Sequence, residues 1–472
     1  MDSFAARHAA WTPDQHDAAT EVAARIRQDG LGVVRLAFAD AHGVLRGKTL
    51  VAEEAIRVLR DGANATTTLL LKDLSGKTAF PVFDRDGGFA DAALQGAADM
   101  VMLPDPLSFR VLPWAPHTGW LLCDLFLPDG RPMPFSARGV MARQVQALAA
   151  RGLSFTAGVE IECHILARGG DPAADGQPAT PALLNPGYQY LTELRYDALD
   201  PLMETLRATL QALDLPLRTL EVEFGPSQLE LTFGPAQGVL PADQLMLVRS
   251  AVKQVCARNG LVASFMSRPR LPGVVSSGWH LHQSLTDHDG RNLFVSQAPE
   301  RPLSPLGMAW LGGLLNHASA CCAFTTPTLN GYRRYRPFTN APTRACWGID
   351  NRGGMVRVLG RPGDPASRIE NRAGEPGANP YLAMAAQIAA GLDGVDRAMD
   401  PGPPTSAPYA DGAPLLPRGL PDALDALATD TCLGAAFGPA FIDYFTRLKQ
   451  AEIDRFHLEV TSWEQSEYFE ML

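Results

Sequence analysis

Apolar and polar positions alternate most clearly at 158–166 of the chain. Val159, Ile161 and Cys163 fall to one side, and Glu160, Glu162 and His164 to the other. That period of two is the signature of a strand. A second such stretch, 219–233, puts Glu221 and Glu223 on one strand face and starts a new strand at Glu230 after the Gly225-Pro226 turn. At 276–285, His280, His282 and Ser284 alternate on one face, and at 368–372 so do Arg368, Glu370 and Arg372. Helical spacing predicts helices over 52–60, 137–150, 201–213, 242–259, 306–322, 378–390, 422–427 and 435–456. Near the N-terminus a short helical lead precedes a hairpin of 33–38 and 44–51 turning at Asp40-Ala41-His42-Gly43. Further strands are predicted near 66–71, 99–103 and 119–126. A Gly/Pro/Ala/Asp-rich loop is predicted at 169–181. The pattern is α+β, with a small module of residues 1–115, a boundary at the Pro113-Trp114-Ala115-Pro116 stretch, and a larger domain of residues 116–472.

A chain of 472 residues accommodates two domains, and 46% hydrophobic with 19% charged residues is an ordinary globular composition. The net charge of −10 argues against nonspecific nucleic-acid binding. The 7 cysteines include no Cys-x-x-Cys pair and read as buried thiols of a reducing cytoplasm. Met1-Asp2-Ser3-Phe4 is not the basic start of a signal peptide, and no apolar run reaches the roughly 18 residues that span a bilayer. The expectation is a cytoplasmic protein with neither a membrane nor a nucleic-acid partner.

Glu160 and Glu162 on one strand face repel each other unless a cation lies between them. A solvated polar edge would show the same alternation. The alternative is a divalent-metal site, since hard cations prefer carboxylate oxygen, and the second acid-bearing hairpin strengthens that reading. His280 and His282 fit either satisfied core residues or ligands. Arginines crowd at Arg333, Arg334, Arg336, Arg344, Arg352, Arg357, Arg361, Arg368 and Arg372 in a chain with more acid than base. A surface or subunit patch would account for them, as would a clamp for phosphate and carboxylate.

In order along the chain stand Gly-x-Glu-x-Glu at 158–162, Glu-x-Gly-Pro-x-Gln-x-Glu at 223–230 and Ser-Gly-x-His-x-His-x-Ser-Leu at 277–285. After them come Asn-Gly-Tyr-x-Arg at 330–334, Asn351-Arg352, and Arg-Ile-Glu-x-Arg followed by Asn-Pro-Tyr-Leu-Ala within 368–383. On these motifs the chain resembles the glutamine synthetase family over nearly its whole length, closest in character to members that ligate glutamate to putrescine or other polyamines. The resemblance implies a small β-grasp-like N-terminal domain and a large catalytic domain on a curved antiparallel sheet. It implies Glu162, Glu223 and Glu230 as ligands of one Mg²⁺ or Mn²⁺, and Glu160, His280 and Glu370 as ligands of another that bridges ATP phosphates. His282 and Ser284 match nucleotide-lining positions, and Arg352, Arg357 and Arg368 match arginines on the ATP phosphates. Arg334 and Arg372 match arginines that hold glutamate and the transferred phosphoryl group, and Ser276, Gly278 and His280 fall at substrate-binding positions. Asp73 matches an aspartate contributed to the site by a neighbouring subunit, in a dodecamer of two hexameric rings with shared sites.

The departures concern the acceptor. Glutamine-forming members have Asn-Gly where this chain has Val275-Ser276, and a catalytic glutamate where it has Asn340. The Asn-Leu-Tyr adenylylation motif is absent; the tyrosine segment here reads Pro408-Tyr409-Ala410. The reading that results is an ATP-dependent ligase joining the γ-carboxylate of glutamate to a polyamine or small alkylamine through a γ-glutamyl phosphate. Ammonia-using glutamine synthetase, and an inactive scaffold of the family, are the alternatives.

Overall fold

The computed structural model describes residues 2–84, 92–169, 181–188, 190–410 and 412–472. The first sheet is built from β1 (Val33–Ala39), β2 (Leu45–Val51), β3 (Ala63–Thr66), β4 (Asp99–Pro104), β5 (Arg110–Val111) and β6 (Thr118–Phe126), in the order β2-β1-β6-β4-β3 with β5 also on β6. β1 and β2 form the expected hairpin, while β1 pairs with β6 in parallel. The helix Pro13–Gln28 turns Ala19, Val22 and Ile26 inward and begins at a Thr12/Gln15 capping box. Instead of a strand at 66–71, β3 ends at Thr66 and one 3₁₀ turn follows, because the Thr66 hydroxyl accepts from the Thr68 N–H and caps it. Residues 1–115 do not hold the whole first sheet. β6 lies beyond the Pro113–Pro116 turn and is hydrogen-bonded to β1, β4 and β5, so this sheet closes only at Phe126.

The second sheet contains β7 (Ser154–Ala167), β8 (Ala182–Leu183), β9 (Leu217–Val222), β10 (Gln228–Gln237), β11 (Leu261–Ser264), β12 (Trp279–Thr286), β13 (Trp347–Ile349), β14 (Val356–Leu359) and β15 (Arg368–Gly374). Its order is β13-β14-β15-β12-β7-β10-β9, antiparallel except for β13–β14, with β8 and β11 both on β7. Most of the loop expected at 169–181 lies outside the described residues.

Helices Ala137–Ala149 and Leu240–Arg258 pack on β7 and also against helix Pro380–Asp396. That last helix is apolar on nearly every side and is buried accordingly. Helix Pro305–Asn316 reaches it through glycine: a Cβ on Gly313 would stand 2.0 Å from the Ala390 carbonyl oxygen, and one on Gly394 would stand 2.2 Å from that of Ala309. The single helix expected at 306–322 is two, Pro305–Asn316 and Ala318–Thr325, broken at His317. The His317 ring there faces Asp430 at 2.6 Å and Asp393 at 2.8 Å. Helix Glu193–Ala212 starts earlier than expected and runs through Pro201, which lies on its exposed side. Buried apolar residues beneath both sheets form one continuous cluster. Among the described residues no helix is long and apolar enough to cross a membrane.

Candidate active site

Strand register assembles the site. Antiparallel pairing sets Glu160 opposite His280, Glu162 opposite Glu230, His282 opposite Glu370, and Arg357 opposite Glu370. Directly opposed residues keep their Cβ atoms within about 5 Å, so strands far apart in sequence deliver one dense charged face. All of these residues but Glu370, which is fully buried, line a cavity of about 1240 Å³, shared with Glu223, Ser276, Ser284, Arg334, Asn340, Arg352, Arg368 and Arg372.

The carboxylates fall into two electrostatic groups. Burial opposes ionisation of Glu160, but hydrogen bonds to His280 (3.2 Å) and His282 (2.8 Å) outweigh it and hold the carboxyl below its usual range. Glu370 is likewise held low against burial by His280 and by Arg372, whose guanidinium donates to it, and Arg357 donates at 3.0 Å. The other group is uncompensated. Burial, then the charges of Glu162, Glu160 and Glu223, push Glu230 up to about 10. Glu162 rises through burial and the Glu223 charge, and Glu223 rises through burial. Burial and then the Arg372 charge take His280 down to about 4, so its ring is neutral near pH 7 and keeps a lone pair for coordination.

Ligand atoms of Glu160, His280 and Glu370 lie within 4.8 Å of one another, and so do those of Glu162, Glu230 and His280. Hard oxygens with one imidazole suit Mg²⁺ or Mn²⁺. The upward push on Glu162 and Glu230 is what an absent positive charge would produce. Glu223 stands at the edge of this arrangement, one carboxylate oxygen accepting from the Phe224 N–H at 2.9 Å.

His282 takes a defined tautomer: Arg368 Nε donates to its Nδ1 at 3.0 Å, so Nε2 carries the proton given to Glu160. The side chain of Arg334 donates to the Arg372 carbonyl at 2.8 Å and its Nη2 lies 3.4 Å from His280 Nε2. Gly278 makes room for it, because a Cβ there would meet the Arg334 guanidinium at 2.7 Å. Arg372 donates to the carbonyls of Arg352 (3.1 Å) and Asn340 (3.2 Å), tying the loop that carries Asn340 to β15. The Ser276 hydroxyl accepts from Arg268 at 3.1 Å.

Of the residues singled out in the sequence, Arg333, Arg336, Arg344 and Arg361 do not line the cavity, and neither does Asp73. It is buried outside the cavity, held by Ser75, the Lys77 N–H and Arg455. Sequence reasoning gave Gln228 no role, yet its Nε2 donates to Glu162 at 2.8 Å and to Ser277 at 3.0 Å while its Oε1 accepts from the Gly225 N–H. Its place two residues before Glu230 on the same strand face was the available signal. Arg268, Tyr188, Tyr190, Phe224 and Phe338 were also missed, the last four lining the cavity.

The family described as glutamine synthetase, catalytic domain, matches residues 134–468. The chain is 44% identical to a γ-glutamylanilide synthase of Acinetobacter sp, across 99% of both chains. It is 30% identical to a γ-glutamylethanolamide synthetase of Streptomyces coelicolor, across 96% of both. The solved structure of a GmaS/ADP complex superposes with a TM-score of 0.82 at 28% identity, covering 95% of this chain and 99% of that one.

Proposed function

The chain belongs to the glutamine synthetase family, and from its site we propose that it joins the γ-carboxylate of L-glutamate to an organic amine at the expense of ATP. A carboxylate resists amines because its leaving group would be oxide. Transfer of the γ-phosphoryl of ATP makes an acyl phosphate, whose leaving group is phosphate. The observation that carries the reading is the convergence of Glu160, Glu162, Glu230 and His280 with Arg334, Arg357 and Arg372 on one cavity, with buried Glu370 grouped beside Glu160 and His280. Phosphoryl transfer needs this combination of carboxylate-held cations and arginines to neutralise equatorial oxygen charge.

Glu162, Glu230 and Glu223 would hold one Mg²⁺ or Mn²⁺, and Glu160, His280 and Glu370 the other; bound there, the ions supply charge neutralisation for the phosphates. Arg352, Arg357 and Arg368 bind ATP phosphates beside His282 and Ser284. Arg334 and Arg372 hold the glutamyl acceptor beside Ser276 and Gly278. An organic amine rather than ammonia is supported by the uncharged Asn340 in the cavity and by the organic amines in the names of the relatives. A polyamine, an alkylamine and an arylamine all satisfy this reading.

Assembly into two stacked hexameric rings, with Asp73 serving a neighbouring site, is part of the proposal. Support comes from the apolar surface that the C-terminal segment exposes at Leu458, Val460, Trp463, Phe469 and Met471. The free cysteines fit a cytoplasmic setting. The test is ADP release in the presence of Mg²⁺, ATP, L-glutamate and a panel of amines. Amine-dependent release is expected, and none with any amine overturns the ligase reading.

A further inference from the structure

Tyr188, Tyr190, Phe224 and Phe338 line the cavity yet remain 66%, 53%, 50% and 86% exposed. The Tyr188 and Tyr190 rings stand 5.6 and 6.1 Å from Phe224, tilted by 48° and 45°. Phe338 lies 5.0 Å from Tyr409 and holds φ at 62°, where a bulky side chain is strained. These rings are not core residues that failed to bury. They turn apolar surface into the cavity that holds the charged site, where water-facing aromatic area is unfavourable unless a ligand covers it. Their neighbours place them at its acceptor end. Phe224 follows Glu223, and Phe338 stands two residues before Asn340, whose carbonyl accepts from Arg372.

We infer that Tyr188, Tyr190, Phe224 and Phe338 form the amine subsite, and that the amine they select is an arylamine, with aniline as the simplest case. This rests on the ligase reading above and narrows it. Aromatic walls receive a flat ring by offset or edge-to-face contact. They would also hold an alkylammonium by cation–π attraction, but that contact stabilises the protonated, non-nucleophilic form. An alkylamine is mostly protonated near neutral pH and must lose a proton before it attacks. Asn340 is neutral and cannot take that proton. In an arylamine the nitrogen lone pair is delocalised into the ring, so the free base dominates at neutral pH and no base is needed before attack.

The chemical step then balances. The arylamine lone pair forms a C–N bond to the acyl carbon of γ-glutamyl phosphate. The acyl C–O bond breaks, and inorganic phosphate leaves with its electron pair. The N-aryl nitrogen, acidic once bonded to the acyl carbon, gives its extra proton to the departing phosphate. The products are a γ-glutamyl arylamide and phosphate.

The experiment is steady-state ADP release by the full-length protein with Mg²⁺, ATP and L-glutamate, using aniline, methylamine and ammonium between about pH 6.5 and 8.5. The expected kcat/KM for aniline exceeds that for methylamine by tenfold or more near pH 7. The aniline profile should stay nearly flat, while methylamine gains roughly tenfold per pH unit as its free base grows. In Phe224→Ala and Phe338→Ala the aniline-to-methylamine ratio should fall about tenfold. Both residues are half exposed or more, and an unchanged Tm confirms that folding is intact. Preference for methylamine or ammonium overturns the inference and leaves the ligase standing. An unchanged ratio in both variants overturns the assignment to these rings. No ADP release with any of the amines overturns both the inference and the reading beneath it.

Discussion

Two places in this molecule gather buried acids around cationic groups. At the joint between the sheets, Arg138 binds Asp105 at 2.6 Å, Asp124 at 2.7 Å and Asp243 at 2.9 Å. Two of these acids have further donors: Gln15 donates to Asp105 and the Tyr381 hydroxyl to Asp243. In the cavity, by contrast, the leading influences on Glu230, which are burial and four neighbouring glutamates, all raise it. Clusters of buried acid are therefore not alike. The joint is closed, its guanidinium held well above its ordinary value by the surrounding acids although burial opposes this. The cavity is left with acids whose ionisation burial and one another oppose, and which only a ligand can balance once ionised. Stability resides in the first arrangement and chemistry in the second.

The strongest way to break that contrast is Glu162→Gln. Glutamine keeps the shape and can still accept from Gln228, but it removes a charge from the uncompensated group. Activity should fall on the order of 10³-fold if Glu162 holds the metal as proposed, since the phosphoryl-transfer site would then lose a carboxylate ligand. The metal-free protein should hold or raise its Tm, because a buried acid whose ionisation its surroundings oppose has gone. A large fall in Tm would mean that this acid is structural.

Arg138→Met is the mirror experiment. It leaves three carboxylates buried without their cation, a loss of about 3–5 kcal/mol. Denaturant unfolding should shift accordingly, while the folded fraction keeps its kcat. An unchanged midpoint would show that the joint is better solvated than its geometry implies.

The two clusters also differ in how far the chain alone discloses them. Period-two alternation located β7, β10, β12 and β15, and with them Glu160, Glu162, Glu230, His280 and Glu370. That Glu162 faces Glu230 while Glu160 faces His280 depends on register between non-consecutive strands, which local pattern does not carry. Arg138, Asp105, Asp124 and Asp243 sit in separate segments with no shared motif and meet only through tertiary packing. Phe224 alternates like any strand residue, and the pattern is the same whether its ring faces core or cavity. The break at His317 depends on Asp393 and Asp430, both far along the chain. β6 escaped the first module because a Pro-flanked turn resembles a boundary even where the next strand returns to the same sheet.

A third consequence of the open cluster is proton release. Glu230 has its folded value raised to about 10 from 4.5, so the metal-free site holds a proton at pH 7. Such a group favours the folded state most below about pH 4.5 and loses that contribution as pH rises toward 10. Binding Mg²⁺ requires the carboxylate and expels the proton, so affinity should gain up to about tenfold per pH unit across neutral pH. Calorimetry in two buffers of different ionisation enthalpy should show proton release at pH 7. Zero release would mean that the acids are already compensated.

The smallest expected effect concerns the edge of the open cluster, where Asn340 lies in the cavity at φ 55° with its carbonyl on Arg372. Asparagine tolerates the left-handed region better than glutamate, so Asn340→Glu carries some backbone strain as it adds a charge. The new carboxylate would stand in a cavity already rich in acid. Neighbouring charge would raise its affinity for protons toward that of a useful general base. It would also attract the small ammonium cation. We expect kcat/KM for ammonium to rise severalfold, with incomplete recovery because of the strain, and turnover of a neutral amine to fall. Asn340→Gln is the control, since it has the same length and no charge. A gain in Glu that is missing in Gln assigns the effect to the carboxylate. Equal behaviour of the two variants would reduce Asn340 to a residue that shapes its loop, and the choice of amine would then rest on the aromatic walls alone.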